Sequence, residues 1–386
     1  MDAFDVLDIQ NQDLGFATIT DGKLEFTFKN GIVASNDWNP RITHPYRMIE
    51  HENNIWVCFY DRTGLIFDED FTVVGGFYRY GNWNITGECQ YVYDLAADNT
   101  TVYAASYNLR RIGAFLKGTD QAAWSISTTN NPYSITTLPN GNIAVAFYNG
   151  GTGGRGHIDE LDATNGATVR VLLDSTPGSS VPWADGVSNP IFIRHINRGG
   201  SDEVWISHYT AGIIAIYDWD DTTGLTLKEM IGEHSPLQSS YNSYSFAYDA
   251  DNNYTYIASA SRKIYTIDMQ TKNLIGEFGK PILDVDTDKA YSFEAVYAPW
   301  GVLYSHGKVI ITDYSNQKIM AFHPDVIMDK EVKIQYSVPK NNYLSVKVAP
   351  DNYNIADSTL TYRASDLLKA PPPEEIAIVG IIEKRR

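Results

Sequence analysis

The stretch VIITDYSNQKIMAFHPD, at residues 309–325, decides how the rest of the chain is interpreted. It begins with a short apolar run, continues through a polar segment at residues 313–317, and ends with an alternating run from Lys318 to Phe322. Short runs of this kind, separated by turn-forming residues, predict two β-strands joined by a tight connection. The same phrase recurs with variations about six times along the chain, so it predicts one copy of a repeated unit.

The repeated unit contains a first strand, a turn, a second strand, a polar turn and a third strand. Five copies place a tyrosine at the end of the second strand, and the fifth copy has Ala260 there. Successive tyrosines are 47, 41 and 61 residues apart, and the last two are 105 residues apart, which is about two periods; they are Tyr60, Tyr107, Tyr148, Tyr209 and Tyr314. Short strands repeating with a period of roughly 40–55 residues are typical of a β-propeller, in which each unit forms a four-stranded blade.

We therefore predict an all-β fold, a six-bladed β-propeller with seven blades as the alternative. An N-terminal arm and β-hairpin would occupy residues 1–40, with Asp21-Gly22 as the hairpin turn. The propeller would occupy residues 41–328, and a C-terminal β appendage with a proline-rich spacer would occupy residues 329–386. Either the hairpin at residues 15–29 or the segment after Lys330 is expected to supply the strand that closes the ring.

The units resemble the blades of NHL-type six-bladed β-propellers and of their lactonase and gluconolactonase-like relatives. The resemblance lies in an apolar β run, then Asp or Tyr, a small polar turn, a basic residue, and Ile followed by a further apolar or aromatic residue. The copies at residues 313–322 and 107–112 carry it most clearly. It covers residues 45–325 and implies an architecture, whereas it leaves the function open.

Composition excludes several classes of function. The formal charge is −17, from 47 acidic and 30 basic residues, so we expect no sequence-specific nucleic acid binding. The N-terminus lacks the basic and apolar regions of a signal peptide, and no apolar run is long enough to predict a membrane span. Cys58 and Cys89 lie in or beside apolar or aromatic runs, which predicts buried free thiols.

Two patterns could hold a divalent cation such as Ca²⁺, although we expect no resident cofactor. Residues 284–288 alternate carboxylates as a calcium loop does, but Lys289 and Ala295 replace the required Gly and Glu. The lactonase resemblance implies an axial metal, for which Asn131, Asn189 and Glu294 would form a partial ligand set. The first blade lacks the expected Glu, although Glu50 lies nearby. The simpler interpretation of the two Asn-Pro pairs is that they start turns.

Aromatic and apolar residues suggest interaction surfaces. Trp183, Trp219 and Trp300 lie in or near segments between strands, where they could stack on sugars, form protein interfaces, or pack between blades. The last apolar run, EIAIVGII at residues 375–382, could add to a neighbouring sheet edge or close the chain's own sheet. Its candidate interface residues are Ile376, Ile378, Val379 and Ile381.

The pattern favours a non-catalytic structural or interaction protein over an enzyme. No HExxH or G-x-S-x-G motif is present, and no catalytic set is complete. The acidic, Tyr-, Asn-, Thr- and Gly-rich composition with added β arms is similar in style to virion proteins of tailed bacteriophages: tail nozzle, tail tip or adhesion proteins. Its partners would then be other virion proteins and further copies of the chain, and its location would be the virion tail. If the chain is not from a phage, we expect a cytoplasmic protein. The alternatives are a metal-dependent lactonase-like hydrolase and a glycan- or receptor-binding propeller.

Overall fold

The structure is a computed structural model of the chain. It describes residues 45–60, 63–69, 73–76, 91–117, 122–148, 156–174, 189–209, 213–231, 243–281, 295–296, 298–315, 318–322 and 324, with only the backbone at a few positions that flank gaps. It also describes the backbone of three strands before residue 45 and of four strands after residue 330.

Five of the blades are four-stranded antiparallel sheets built from consecutive strands. Blade 1 contains β4 (Pro45–His51), β5 (Asn54–Phe59), β6 (Thr63–Phe67) and β7 (Val73–Gly76). Blade 2 contains β8 (Val92–Ala97), β9 (Thr101–Ser106), β10 (Arg111–Leu116) and β11 (Ala122–Ser127). Blade 3 contains β12 (Asn131–Thr137), β13 (Ile143–Tyr148), β14 (His157–Leu161) and β15 (Thr168–Asp174).

The next two blades follow the same plan, and the sixth is larger. Blade 4 contains β16 (Pro190–Arg198), β17 (Ser201–His208), β18 (Ile213–Asp220) and β19 (Gly224–Ile231). Blade 5 contains β20 (Ser243–Asp249), β21 (Tyr254–Ser259), β22 (Lys263–Asp268) and β23 (Leu274–Phe278). Blade 6 begins with β26 (Pro299–Ser305), β27 (Lys308–Asp313) and β28 (Lys318–Phe322). A short parallel pair, β24 (Lys280–Pro281) and β25 (Ala295–Val296), precedes blade 6.

The prediction of a six-bladed β-propeller is confirmed. The first strands of the blades contact one another in a closed series, β4, β8, β12, β16, β20, β26 and back to β4, so they surround the axis. Each of the six junctions between neighbouring blades has its own cluster of buried hydrophobic residues. Because each blade is apolar on both faces, it is stable only between two neighbours, which explains why the repeats form a ring. Cys58 is a buried free thiol in the cluster between blades 1 and 2, as predicted, while Cys89 lies outside the described residues.

The ring closes through the N-terminal segment. β1 (Phe4–Asp8) pairs antiparallel with β28, from Phe4 opposite Phe322 to Asp8 opposite Lys318, and supplies the fourth strand of blade 6. β2 (Asp13–Thr20) and β3 (Lys23–Asn30) follow as the expected hairpin and extend this sheet to six strands. The closing strand is therefore neither the hairpin at residues 15–29 nor the segment after Lys330, but the short acidic segment before them.

The junction between blades 6 and 1 requires a glycine. Thr312 Oγ1 donates a hydrogen bond of 2.6 Å to the carbonyl oxygen of Tyr46 across this junction. A Cβ atom at Gly301 would lie 2.7 Å from the same carbonyl and 2.5 Å from Thr312 Oγ1. A larger residue at position 301 would therefore push the two blades apart.

The C-terminal segment forms a separate small sheet with strand order β30, β31, β29 and β32; they are β29 (Glu331–Gln335), β30 (Tyr353–Asn354), β31 (Thr359–Arg363) and β32 (Ile381–Ile382). Ile381 and Ile382 pair with Gln335 and Ile334, so the last strand pairs within its own chain. The domain boundaries inferred from the sequence stay a prediction. Among the described residues, no helix has the length and hydropathy needed to cross a membrane.

Closure by β1 predicts that Val6→Pro destabilises the propeller. Val6 lies between Met320 of β28 and Gly15 of β2, and proline cannot donate a hydrogen bond to either ladder. We expect a loss of about 1–3 kcal/mol in the free energy of unfolding, measured by urea denaturation followed through tryptophan fluorescence. Asp2→Pro, which precedes the strand, is the control. Equal stability of the two variants would show that β1 does not close the ring.

Candidate functional site

The candidate site is built on a β-bulge that occurs at the same position in the first strand of every blade. In blade 2, Val92 is opposite Ser106 and Asp94 is opposite Ala105, so Tyr93 is the extra residue. The equivalent shifts occur at Tyr133, Ile191, Tyr244 and Trp300, and a longer one spans Tyr46 and Arg47. A bulge re-aims a side chain relative to the regular pleat. Five of the six blades therefore present an aromatic residue at the same end of the first strand.

The tyrosines that end the second strands lie at the same end. Antiparallel pairing places the start of the first strand beside the end of the second, and in blade 3 Asn131 pairs with Tyr148. Eight aromatic residues from all six blades contact one another in a closed series, with successive ring centroids 4.0–6.3 Å apart. We call this series the aromatic collar; it consists of Tyr46, Tyr93, Tyr107, Tyr133, Tyr148, Tyr209, Tyr244 and Trp300.

The collar rings are packed against one another and are partly accessible. Tyr46 and Tyr133 are buried, whereas the other six collar residues are half-buried. Tyr60 and Tyr314 contact the collar as well: the ring centroid of Tyr60 lies 6.0 Å from that of Tyr93, and the ring centroid of Tyr314 lies 5.7 Å from that of Tyr46. Burial raises the pKa of Tyr46, Tyr93, Tyr133 and Tyr244 above the ordinary value for tyrosine, so their hydroxyls are neutral at physiological pH. The collar thus offers half-exposed rings and neutral hydroxyls that can donate and accept hydrogen bonds.

Beneath the collar, an ionic cluster crosses the axis. Asp94 accepts two hydrogen bonds of 2.7 Å from the guanidinium of Arg194, and Arg47 Nη1 lies 3.8 Å from Asp94 Oδ2. The side chains of Arg47 and Asp94 are fully buried. Phe192 lies against both guanidinium groups, 4.8 Å from Arg47 and 4.1 Å from Arg194. We call Arg47, Asp94, Phe192 and Arg194 the axial plug.

The plug also satisfies backbone groups at the inner edges of the blades. Arg47 donates to the carbonyl oxygens of Tyr133 at 2.9 Å and of Tyr244 at 3.2 Å. Arg194 donates to the carbonyl oxygens of Ile135 and Ile193, and Asp94 accepts from the backbone nitrogen of Ile135. Because nothing pairs with the inner edge of a first strand in its own sheet, these bonds replace a missing ladder.

A cavity of about 350 Å³ lies at the other end of the first strands, beyond the plug. All six first strands contribute to its wall, and Arg194 and Phe192 of the plug line it. Its polar residues include Glu50, His195 and Tyr304, among apolar residues such as Leu95 and Ala247. The volume lies at the lower end of the range for small-ligand pockets.

The structure brings some of the sequence-predicted site residues together. Trp300 belongs to the collar, where it stacks on Tyr46 and Tyr244. Asn131 and Asn189 lie at the collar end as well; Asn131 Nδ2 donates to the carbonyl oxygen of Tyr107 at 3.1 Å, and the carbonyl oxygen of Asn189 accepts from the backbone nitrogen of Tyr209.

Other sequence-predicted residues lie elsewhere. Trp219 packs at the junction of blades 3 and 4, where its Nε1 donates to Asp221 and Arg170 lies over its ring. Glu50 lies at the cavity end of β4, five residues along the strand from Pro45, or roughly 16 Å away, so it cannot join the asparagines. Of Ile381 only the backbone is described. Trp183, Glu294, residues 284–288, Ile376, Ile378 and Val379 lie outside the described residues.

Sequence reasoning missed Arg194 and the role of its partners. Arg47 and Asp94 stand at blade starts, but the sequence does not show that Asp94 binds a residue 100 positions away. The available signal was a charged residue inside an apolar first strand, as in PIFIRHI at residues 190–196. A charge at such a position implies a buried partner.

Comparison with known proteins supports the fold. No protein-family model matches the chain, and no curated protein matches it. Many solved structures share its fold. One is described as the crystal structure of the β-propeller domain of Cps50 (Swd1) from Myceliophteria thermophila, with 11% identity and a TM-score of 0.51 over 72% of this chain and 96% of that domain. At this identity the similarity shows a β-propeller fold, and the resemblance to NHL-type propellers stays an expectation.

The plug predicts a large cost for Asp94→Asn. Removing the carboxylate charge leaves two guanidinium groups close together at the axis without an anion, which typically costs about 3–5 kcal/mol for a buried pair. Urea denaturation measures the loss. The control is Asp202→Asn at the partly exposed pair with His195, where we expect less than about 1 kcal/mol. Similar losses in both variants would show that the plug does not stabilise the ring.

A buried histidine beside the collar predicts a pH dependence. His208, next to Tyr209, is fully buried, and the loss of hydration lowers its pKa from 6.5 to about 3. Between these values the unfolded chain binds a proton that the folded chain does not, so the free energy of unfolding falls as the pH falls below about 6.5.

We expect His208→Gln to flatten this dependence. The wild-type loss attributable to this group approaches about 1.4 kcal/mol per pH unit, measured by urea denaturation between about pH 7 and pH 5. His51, whose pKa is lowered by burial and by Lys117, is less buried, so His51→Gln should flatten the dependence less. A slope unchanged by His208→Gln would contradict the assignment.

Proposed function

We propose that this protein is a non-catalytic interaction propeller whose partner docks on the collar face. The observation that carries the proposal is the closed aromatic collar, which takes residues from every blade and lies at one end of the axis. Tyrosine and tryptophan are enriched at the centres of protein interfaces, where they contribute much of the binding energy.

The packing of the collar rings against one another favours binding. Each collar ring is in contact with two others, so its rotamer is restricted before a partner arrives, and little conformational entropy remains to be lost. The neutral hydroxyls give the surface hydrogen-bonding capacity without charge. On a protein with net charge −17, the collar rings thereby offer contacts that carry no charge of their own.

The finer proposal is a component of a phage virion, located in the tail nozzle, the tail tip or an adhesion structure. Its support is the acidic, tyrosine- and asparagine-rich composition together with the β appendages at both ends of the propeller. The axial plug adds a constraint. If several copies surround a DNA channel, the channel lies between the copies, because the plug occupies the axis of each propeller.

Virion incorporation tests this role. If portal, capsid or tail genes neighbour the gene, mass spectrometry of density-purified virions should find several copies of the chain per particle. Tyr148→Ala combined with Tyr209→Ala removes two half-buried collar rings and should reduce incorporation by about ten-fold or more.

Two results decide the interpretation. Tyr304→Ala removes an aromatic ring at the cavity end and is the matched control, which should be incorporated normally. Absence of the chain from virions encoded by a complete phage genome, or its presence in a genome without phage genes, would overturn the virion role. Binding of the isolated protein to a glycan array, lost in the collar variant, would instead support the receptor-binding alternative.

One observation favours the hydrolase as a second candidate. Asn189 Oδ1 is buried at the collar end and has no hydrogen-bond partner among the described residues, and the residue has a positive φ of 65°. A buried amide oxygen could coordinate a divalent cation. Stoichiometric Ca²⁺ binding and lactone hydrolysis, both lost in Asn189→Ala and in Glu294→Gln, would support the enzyme. Within the described residues, no group of three His, Cys, Asp or Glu side chains is placed to hold a metal ion.

A further inference from the structure

Blade 6 differs from the other blades in having two extra strands. Its sheet has the order β26, β27, β28, β1, β2 and β3, whereas the other blades have four strands each. β3 is the terminal strand of this order, so among the described strands only β2 pairs with it. Such an edge presents backbone donors and acceptors that can pair with a further strand.

We propose that β3 pairs antiparallel with β3 of a second copy, joining the two propellers through a continuous sheet. A two-fold axis perpendicular to the sheet would then relate the copies, and each strand would contribute the same residues to the contact. This interface is independent of the collar face, so it stands whether or not the proposed function is correct.

The backbone limits the registers that this pairing can adopt. In an antiparallel sheet, the N–H and C=O of one residue point to the same neighbouring strand, and alternate residues point to opposite neighbours. Every second residue of β3 therefore faces β2, and the others face the open edge. In a symmetric pair, an edge-facing residue must lie opposite an edge-facing residue of the second copy. Because edge-facing residues are two positions apart, the two residue numbers of each opposite pair are both odd or both even.

One of these registers is complementary in charge. When Thr27 is opposite Thr27 of the second copy, Glu25 is opposite Lys29, and Lys29 is opposite Glu25. The same register places Phe26 opposite Phe28. Cross-strand pairs of opposite charge, of two aromatic residues and of two threonines all stabilise a sheet.

The neighbouring registers are unfavourable or lack opposite charges. A shift that places Phe26 opposite Phe26 brings Lys23 opposite Lys29, which pairs like charges in two places. A shift that places Glu25 opposite Glu25 also pairs like charges. The opposite shift, with Phe28 opposite Phe28, leaves Lys29 opposite Thr27. Charged residues often protect an edge from pairing, but the signs and spacing in KLEFTFKN instead select one self-pairing register.

Charge exchange tests this register. We expect the wild-type chain to form a dimer in sedimentation velocity and native mass spectrometry at concentrations up to about 100 μM, where weak interfaces are still populated. Glu25→Lys or Lys29→Glu alone should weaken the dimer by about ten-fold or more, since each creates two like-charge pairs. The double variant Glu25→Lys/Lys29→Glu should dimerise like the wild type.

Mixing the two single variants gives the sharpest result. The Glu25→Lys chain carries positive charge at positions 25 and 29, and the Lys29→Glu chain carries negative charge at both. The mixture should therefore form a heterodimer, although each variant alone dimerises only weakly. Glu277→Lys, a reversal on the exposed outer strand of blade 5, is the matched control and should leave the dimer intact. A monomeric wild type, or a dimer that none of these exchanges affects, overturns the proposal.

Discussion

The propeller depends on how the inner edges of its first strands are satisfied. Six strands converge on one axis, and each has one side without a partner in its own sheet. Arg47, Asp94 and Arg194 supply hydrogen bonds to these edges and connect blades that do not follow one another in sequence. A hydrophobic axis would leave the edge groups unpaired, which is costly away from water, so the buried charges fulfil a requirement of the architecture.

The collar follows from the same geometry at the end of the strands. A bulge interrupts each first strand at the level where the blades approach the axis, and it turns one residue out of the regular alternation. Large flat rings fill the space that opens there, because neighbouring rings can pack on one another. Blade 4 has Ile191 at this position, and the second strand of the same blade contributes Tyr209 to the series. The collar and the closed axis therefore both follow from the convergence of the six first strands.

The architecture could be predicted from the sequence because each blade is formed by strands that follow one another in the chain. Each blade consists of neighbouring strands with short apolar runs, and the tyrosines that end the second strands made the period visible. Sequence reasoning found one part of the collar through these tyrosines and through Trp300. It missed the other bulge residues, because a bulge depends on the register between two strands and leaves no fixed residue pattern. It did not find the plug, because Asp94 and Arg194 are 100 residues apart and meet only when the ring is closed. The closing strand was missed because Phe4–Asp8 is short and acidic. Its partner β28 is more than 300 residues away in sequence, and the two strands meet only in the closed ring.

Closure by the first strand has a consequence for how the protein folds during synthesis. Phe4 leaves the ribosome early, but its partner Phe322 is made only after five complete blades. Contacts between such distant positions form slowly, because a long loop must close before they contribute any stability. The edge of β1 that pairs with β28 therefore stays unpaired until the sixth blade has been synthesised. On a polysome, where nascent chains are close to one another, the sixth blade of one chain could accept the first strand of its neighbour, so the rate of synthesis relative to closure would determine how many molecules exchange strands.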